Sequence, residues 1–124
     1  DPAAVRRVVM VTGKLYYDLL QGRETAGARD VAFVRLEQLY PFPAAELGMV
    51  LARYPQAELV WAQEEPRNMG AWRFVRERFL DGEVPDSSGR LPRYIGRGHL
   101  AAPAPGSHKV HVAEQEAIVR EALG

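Results

Sequence analysis

Short apolar runs rich in β-branched residues alternate with amphipathic segments along this chain. Three such runs cover residues 7–12, 31–36 and 58–63, and a shorter one lies around residues 93–95. Continuous apolar runs of this kind are typical of strands that are buried on both faces of a parallel sheet. The alternation therefore predicts an α/β fold with three layers, in which a mostly parallel sheet of about four to five strands is flanked by helices.

Segments with helical periodicity lie between and after these runs. The predicted helices cover residues 14–22, residues 43–53, residues 70–80 and residues 110–123. Pro43 suits the first turn of its helix, because a first-turn residue donates no hydrogen bond within the helix. Each predicted strand is thus followed by a predicted helix, as a parallel sheet requires.

Length and composition restrict the class of protein. The chain has 124 residues without internal repeats or a linker, which predicts a single α/β domain over residues 1–124. Its charges sum to 16 − 16 = 0, which argues against a nucleic acid polymer or a membrane surface as partner. The absence of cysteine excludes thiol chemistry and disulfides. Because Asp1 is not an initiator methionine and a strand follows closely, we expect the C-terminal part of a longer enzyme.

Short motifs that would carry chemistry on their own are absent or weak. Gly13 and the lysine after it follow the first strand, but a phosphate-binding loop needs a glycine five positions earlier, where Val8 stands. His108, His111 and Glu114 follow one another at intervals of three residues. A cluster at the start of a helix is favoured there over a metal site, because no fourth ligand has suitable spacing.

Neighbouring carboxylates and serines do not make a catalytic set either. Glu64 and Glu65 are adjacent, and neighbours in extended backbone point in opposite directions, so they do not converge on one substrate atom. Ser87, Ser88 and Ser107 lack the sequence around a nucleophilic serine. The residues therefore predict no catalytic side chain in this chain.

Unusual residues concentrate where the predicted strands end. They fill segments 12–14, 37–43, 63–72 and 96–99. The carboxyl ends of parallel strands share one edge of a sheet, and ligands and partners bind there. Loop aromatics such as Tyr40, Phe42 and Trp72 are unfavourable in water, which favours a docking surface over free loops.

The same segments resemble a known family. The stretches are GKLYYDL at 13–19, VRLEQLYPFP at 34–43, QEEPRNMGAW at 63–72, YIGR at 94–97, APAPGS at 102–107, KVH at 109–111 and EQ at 114–115. In order and spacing they resemble the C-terminal region of the first component of 2-oxoglutarate dehydrogenase. Met69, where glutamine is common, and Leu36, where isoleucine is common, are conservative departures.

The resemblance implies a decarboxylase of 2-oxoglutarate that depends on thiamine diphosphate and magnesium and is located in the cytoplasm. Both cofactors would be bound by preceding domains, and none is expected in this segment. The enzyme would pass a succinyl group to the lipoyl arm of a succinyltransferase component in the tricarboxylic acid cycle. The present domain would resemble the C-terminal domain of transketolases, pack in a homodimer and, in some bacterial members, take part in control by acetyl-CoA or nucleotides.

No catalytic or cofactor-binding residue of the family maps onto these positions. The candidates for interface and scaffold roles are Arg35, Glu37, Gln38, Tyr40, Gln63, Glu64, Glu65, Asn68, Gly70 and Trp72. We expect Arg35 to pair with Glu64 or Glu65, and replacement of Trp72 by alanine to loosen the dimer. The candidates for anion binding are Lys14, Arg35 and Arg97.

Two alternatives remain open at the level of sequence. The chain can be a binding module that senses an acyl-CoA or a nucleotide through the three cations just named. It can also be the equivalent domain of another 2-oxo acid decarboxylase or of a transketolase, although the stretch over residues 63–72 speaks against those relatives.

Overall fold

Four parallel strands form one sheet in the computed structural model, which describes residues 2–85, 87, 89–97 and 108–124, with only the backbone for 108–111. The strands are β1 (Arg7–Val11), β2 (Val31–Arg35), β3 (Glu58–Pro66) and β4 (Arg93–Arg97). Their order across the sheet is β2-β1-β3-β4, and every neighbouring pair is parallel. The predicted α/β fold with a parallel sheet is confirmed, with four strands in the part of the chain described.

Four helices flank this sheet within the same residues. They are α1 (Leu15–Ala26), α2 (Ala44–Leu51), α3 (Trp72–Leu80) and α4 (His108–Leu123), and a short 3₁₀ turn at Pro2–Ala4 precedes β1. None of the helices in the described ranges is long and apolar enough to cross a membrane.

The first helix extends one turn further than its predicted end at residue 22. Gly22 lies inside α1, and a Cβ atom at this position would come within 2.5 Å of Val119 on α4. The helix ends instead at Gly27, whose φ of 67° is the left-handed conformation that favours glycine. Gly22 is thus a site of close helix contact, and the sequence prediction mistook it for a helix end.

The sheet is buried on both faces. On β1, Val8 and Met10 point to the layer of α2 and α3, whereas Val9 and Val11 point to the layer of α1 and α4. This alternation follows from the two-residue period of a strand. Trp61 on β3 is fully buried in the first layer and is one of its largest side chains. The two-sided burial explains why the strand sequences are continuously apolar.

The third strand is longer than its predicted end at residue 63. It continues to Pro66, which pairs with Arg97 of β4 after an irregularity in register that follows Ala62. A proline in a strand is tolerated where its nitrogen is not needed for the ladder. The extension carries the polar stretch Gln63 to Glu65 along β3 instead of into a loop.

Arg90 holds the C-terminal end of α2 against the loop before β4. Its Nη1 donates to the carbonyl oxygens of Tyr54 at 2.8 Å and Ala57 at 2.7 Å, and its Nη2 donates to that of Leu51 at 3.2 Å. Its Nε donates to the carbonyl oxygen of Ser87 at 2.8 Å. One guanidinium therefore satisfies four backbone carbonyls, which no local sequence pattern predicts.

Replacing Arg90 with alanine is expected to lower the free energy of unfolding by about 2 kcal/mol, since partly buried carbonyls lose a charged donor. Arg90→Lys should recover less than half of this loss, because an ammonium group cannot reproduce the planar fork. Urea unfolding measures both variants. Arg76→Ala, at an exposed position on α3, is the control and should change stability little; equal losses in Arg90→Ala and Arg76→Ala would contradict the assignment.

Glu58 lies between two arginines at the amino-terminal edge of the sheet. Its Oε1 accepts hydrogen bonds from Arg7 at 2.7 Å and from Arg93 at 3.3 Å. Burial by itself would raise the pKa of the Glu58 carboxyl, but the hydrogen bonds from Arg93 and Arg7 outweigh it and lower the pKa below its usual value. The ionised carboxylate therefore stabilises the fold at neutral pH.

A carboxyl whose pKa is lower in the folded state than in the unfolded state stabilises the fold at pH values above its unfolded-state pKa. This contribution is lost as the pH falls through the folded-state pKa. Glu58→Gln should therefore lose less stability than the wild type on acidification from neutral pH. The difference is expected to be below about 1 kcal/mol, because the carboxylate is partly exposed. Urea unfolding at a series of pH values measures it, with the exposed Glu46→Gln as control; parallel pH curves for wild type and Glu58→Gln would contradict the prediction.

Candidate interaction site at the carboxyl edge of the sheet

The segments predicted to meet at one edge of the sheet do so over the residues that the structure describes, which end at residue 97 in the last of them. The residues after β1, β2 and β3 and the end of β4 lie together, because all four strands run in the same direction. We call this side of the domain the carboxyl edge. His99, Ser88 and Ser107 lie outside the described residues, as do the stretch over residues 98–107 and the side chains of His108 and His111.

Gln63 organises the carboxyl edge from inside. It is only 2% exposed, and its Oε1 accepts hydrogen bonds from the indole Nε1 of Trp61 at 2.9 Å and from the backbone nitrogen of Trp72 at 3.1 Å. Its Nε2 donates to the carbonyl oxygens of Pro66 at 3.0 Å and Met69 at 2.8 Å, and at 3.2 Å to that of Glu65. One buried amide thus connects β3, the loop over residues 67–71 and the start of α3.

Gly70 lies directly against this amide. Its φ of 68° is left-handed, and a Cβ atom there would come within 3.1 Å of the Gln63 Oε1. A glycine is therefore required both by the turn and by the closeness of the side chain. The two residues explain why the segment folds back tightly after β3.

The loop aromatics divide into a buried and an exposed group. Trp72 is 5% exposed and its ring packs on Tyr94, so almost none of it is available to a partner. Tyr40 is 71% exposed, although its ring lies 4.6 Å from that of Phe74. Phe42 is half-buried and its ring also packs on Phe74, with 5.9 Å between the ring centres. Tyr40 is therefore the loop aromatic of this group that presents a large apolar surface to solvent.

Tyr94 and Arg67 cover the end of β4. The guanidinium of Arg67 lies 5.2 Å from the ring centre of Tyr94 and 6.0 Å from that of Trp72. The Tyr94 hydroxyl has the carbonyl oxygens of Arg97 and Glu65 as acceptors. Burial raises the pKa of Tyr94, so the hydroxyl keeps its proton for these carbonyls. Sequence reasoning missed Tyr94, because it lies within a short strand and carries no motif apart from the family resemblance.

The expected ion pair between Arg35 and Glu64 or Glu65 is wrong. Arg35 ends β2, which is separated from β3 by β1, a distance of roughly 10 Å for two strand spacings. Its guanidinium lies instead over the rings of Tyr16 and Tyr17 at 5.4 Å and 5.2 Å and donates to the Tyr17 hydroxyl at 3.1 Å. Its closest carboxylate is that of Glu37, on its own loop, at 3.7 Å.

Glu64 is held by the C-terminal helix. Its Oε1 accepts a hydrogen bond at 2.7 Å from Gln115 of α4, which also donates to Asp18 of α1 at 3.1 Å. The Glu64 carbonyl oxygen accepts a hydrogen bond at 2.7 Å from Arg97, whose guanidinium forms an ion pair with Glu114 at 2.7 Å. Sequence reasoning missed the roles of Asp18 and Gln115, since only the topology brings α1, β3 and α4 together.

The three cations proposed for anion binding do not converge on one site. Lys14 precedes α1 and Arg35 ends β2, so these two lie at the ends of neighbouring strands. Arg97 ends β4, on the far side of β3, and its side chain is 8% exposed beneath Glu114. Of the three, Lys14 and Arg35 are exposed at neighbouring strand ends of the carboxyl edge.

The remaining candidates are exposed residues of the loops and, for Glu65, of the end of β3. Glu37, Gln38, Glu65 and Asn68 are all exposed, and Gln38 donates to the carbonyl oxygen of Tyr40 at 2.8 Å. Among the described residues no three His, Cys, Asp or Glu side chains are placed to hold a metal ion. The carboxyl edge is thus an exposed surface supported from inside by the buried Gln63.

The chain is similar in sequence to a known family over nearly its whole length. The family model described as 2-oxoglutarate dehydrogenase C-terminal matches residues 1–123. The chain is 47% identical over 124 residues to proteins named 2-oxoglutarate dehydrogenase E1 component from Brucella anthropi, Brucella ovis and Brucella canis. The match covers 98% of this chain and 12% of each of these relatives, so the chain spans about an eighth of their length.

Proposed function

The chain belongs to the 2-oxoglutarate dehydrogenase C-terminal family, and we propose that it works as the C-terminal domain of an enzyme that decarboxylates 2-oxoglutarate oxidatively. That enzyme would transfer the resulting succinyl group to a lipoyl group on a succinyltransferase component. The proposal depends on one observation, the 47% identity to E1 components across nearly the whole chain. The alternative of another 2-oxo acid decarboxylase or a transketolase receives no support from these relatives.

Thiamine diphosphate and magnesium would be bound by other domains of that enzyme. Magnesium needs several oxygen ligands, usually carboxylates and phosphates. Within the described ranges the carboxylates are distributed singly or used in pairs with arginine, as Glu58 and Glu114 are. These residues do not fit a magnesium diphosphate site, and no step of the reaction is assigned to them.

The domain itself would have a structural role, packing against preceding domains and in a homodimer. Tyr40 supports this role, because a tyrosine that is 71% exposed and rests on a second aromatic ring is typical of an interface residue. Gln63 and Gly70 would keep that surface in a single conformation from inside the domain. We place the enzyme in the cytoplasm.

Assays of the full-length enzyme test the proposed reaction. With thiamine diphosphate and magnesium, it should reduce an artificial electron acceptor with 2-oxoglutarate as substrate and much more slowly with pyruvate or branched-chain 2-oxo acids. The isolated residues 1–124 should show no turnover. A preference for another 2-oxo acid, or turnover by the isolated domain, would contradict the proposal.

A regulatory role is a second candidate, favoured by Lys14 and Arg35 at neighbouring strand ends. We propose that these cations contact the phosphates of acetyl-CoA or of a nucleotide, as the exposed start of a helix next to a lysine favours anions. Calorimetry on the full-length enzyme should show heat with acetyl-CoA at millimolar concentration, and Lys14→Ala should weaken binding about tenfold. Absence of heat in the wild type would exclude the role.

A further inference from the structure

The C-terminal helix α4 has little apolar attachment for its length. Of its side chains from residue 112 onward, only Ile118 and Ala122 are buried, and Val119 and Leu123 are half-buried. Val112 is exposed. A helix that buries so few apolar side chains is held weakly by the hydrophobic effect.

A groove between α1 and α4 indicates incomplete packing along the helix. Its volume is about 670 Å³, and its apolar lining includes Gly22, Ala26, Val112, Val119 and Leu123. Beside this groove the two helices contact each other where Gly22 meets Val119 and Leu123 and where Gln115 donates to Asp18 at 3.1 Å. Such a gap forfeits the dispersion contacts that a close-packed helix pair would make.

Two arginines before and at the start of β1 hold the C-terminal end of α4. Arg7 Nη1 donates to the carbonyl oxygens of Glu121 and Ala122, both at 3.0 Å, and Arg6 Nη2 donates to that of Leu123 at 2.8 Å. The last four carbonyls of a helix have no partner within it. Arg6 and Arg7, which we call the arginine clamp, satisfy three of them, and the carbonyl of Arg120 accepts from the Gly124 nitrogen at 2.8 Å.

The clamp residues are themselves fixed by carboxylates of the sheet. Arg6 pairs with Asp30 at 2.6 Å, and Arg7 pairs with Glu58 at 2.7 Å. Arg7 is largely buried, with 11% of its side chain exposed. The clamp is therefore fixed at the amino-terminal edge of the sheet by residues outside α4.

The other polar attachments of α4 are an ion pair of Glu121 with Arg93 at 3.7 Å, beside the clamp, and contacts at the carboxyl edge. Gln115 donates to Glu64 and Asp18, and Glu114 covers the guanidinium of Arg97. If α4 leaves the sheet, Arg97 and Glu64 become accessible at the ends of β3 and β4. The state of the helix thus determines which charges the carboxyl edge presents.

We propose that α4 is a latch, which detaches from the sheet as a unit while β1–β4 and the other helices stay folded, and that the arginine clamp sets how often it does so. The proposal goes beyond the function proposed above and does not depend on it. Helices with few buried apolar contacts are expected to open at a lower free energy than the core of the same domain.

Hydrogen exchange measured by mass spectrometry on the full-length protein tests this latch. In the wild type, amides of residues 113–123 should exchange at least about tenfold faster than those of β1 and β3, since the core exchanges only through global opening. Arg7→Ala should accelerate exchange in α4 about tenfold or more, because the bonds to Glu121 and Ala122 are lost.

A core substitution on the opposite face distinguishes latch opening from unfolding of the whole domain. Phe79 of α3 is buried in the layer that α4 does not touch. Phe79→Leu should accelerate exchange in β1 and β3 and leave that of α4 unchanged, because α4 opens without exposing Phe79. If α4 and the strands exchange at the same rate and respond equally to Arg7→Ala and Phe79→Leu, the latch does not exist.

Two further variants keep the result interpretable. Arg7→Lys retains the positive charge but not the planar guanidinium, so it should accelerate exchange in α4 less than Arg7→Ala does. If Arg7→Ala does not fold, Arg7→Lys takes its place in the experiment. Arg29→Ala, an exposed arginine before β2, should leave α4 as in the wild type. An equal effect of Arg29→Ala and Arg7→Lys on α4 would overturn the role of the clamp.

Discussion

Replacing Gln63 with alanine is expected to lower the free energy of unfolding by about 3 to 5 kcal/mol. Among the described residues, Gln63 is the polar residue that is buried in the core. Its side chain accepts hydrogen bonds from two nitrogens and donates to three carbonyl oxygens. Its removal takes the partner from the Trp61 indole nitrogen, the Trp72 backbone nitrogen and the Met69 carbonyl, whereas the Pro66 carbonyl keeps the hydrogen bond from the Met69 nitrogen at 2.9 Å. Each buried polar group left in this way costs about 1 to 3 kcal/mol, and entry of water recovers part of the sum.

Urea unfolding followed by tryptophan fluorescence measures this loss, because Trp61 and Trp72 both remain in the variant. Gln38→Ala is the matched control: it also removes a glutamine that donates to a backbone carbonyl of a loop, but at an exposed position. We expect it to change the free energy of unfolding by less than about 0.5 kcal/mol. A loss below about 1 kcal/mol in Gln63→Ala would show that this amide does not organise the edge.

Gln63→Glu keeps the acceptor of the amide and removes its donor, so it tests the two roles separately. The glutamate keeps an acceptor for the Trp61 indole nitrogen and the Trp72 backbone nitrogen, but its second oxygen faces the carbonyls of Pro66 and Met69. An acceptor placed against acceptors is unfavourable, and an ionised carboxylate at a buried position is more so. We therefore expect Gln63→Glu to be as unstable as Gln63→Ala at neutral pH, in the same urea assay.

The fold was predictable because its dominant signal is local. Continuous apolar runs such as Val8–Val11 can be read as two-sided strands directly, and prolines and glycines mark where the chain turns. The errors concern residues whose role depends on another element. Gly22 resembles a helix end, yet it allows α4 to approach α1, and no pattern within α1 contains that information.

The candidate site was predictable in position but not in pairing. Parallel strands place their carboxyl ends together, so the segments around Gln63, Tyr40 and Lys14 were expected at one edge. Strand order decides which of them touch, and Arg35 does not reach Glu64 because β1 lies between their strands. The partners of Glu64 come from α4, which is remote along the chain. Long-range contacts of this kind are absent from local patterns.

Trp72 and Tyr40 allow the stability of the domain to be separated from its association. Trp72→Ala is expected to lower the free energy of unfolding by about 3 to 5 kcal/mol, because the ring is 5% exposed and packs on Tyr94 in the core. Trp72→Phe should lose about half as much, since the smaller ring refills part of the cavity. Urea unfolding followed by circular dichroism measures both variants.

The expectation from the sequence that Trp72→Ala loosens a dimer therefore has to be tested together with Tyr40→Ala. Tyr40 is 71% exposed, so its removal should change stability by less than about 1 kcal/mol and, if the carboxyl edge is an interface, weaken the dimer of the full-length enzyme about tenfold or more. Sedimentation of both variants decides between the roles. A buried ring cannot contact a partner directly and can affect association only by changing the stability of the fold. Trp72→Ala should therefore lower the folded fraction and leave the dimer affinity of the folded protein nearly unchanged. Unchanged dimer affinity in Tyr40→Ala would remove Tyr40 from the interface, and a selective loss in Trp72→Ala would place the contact beside its ring.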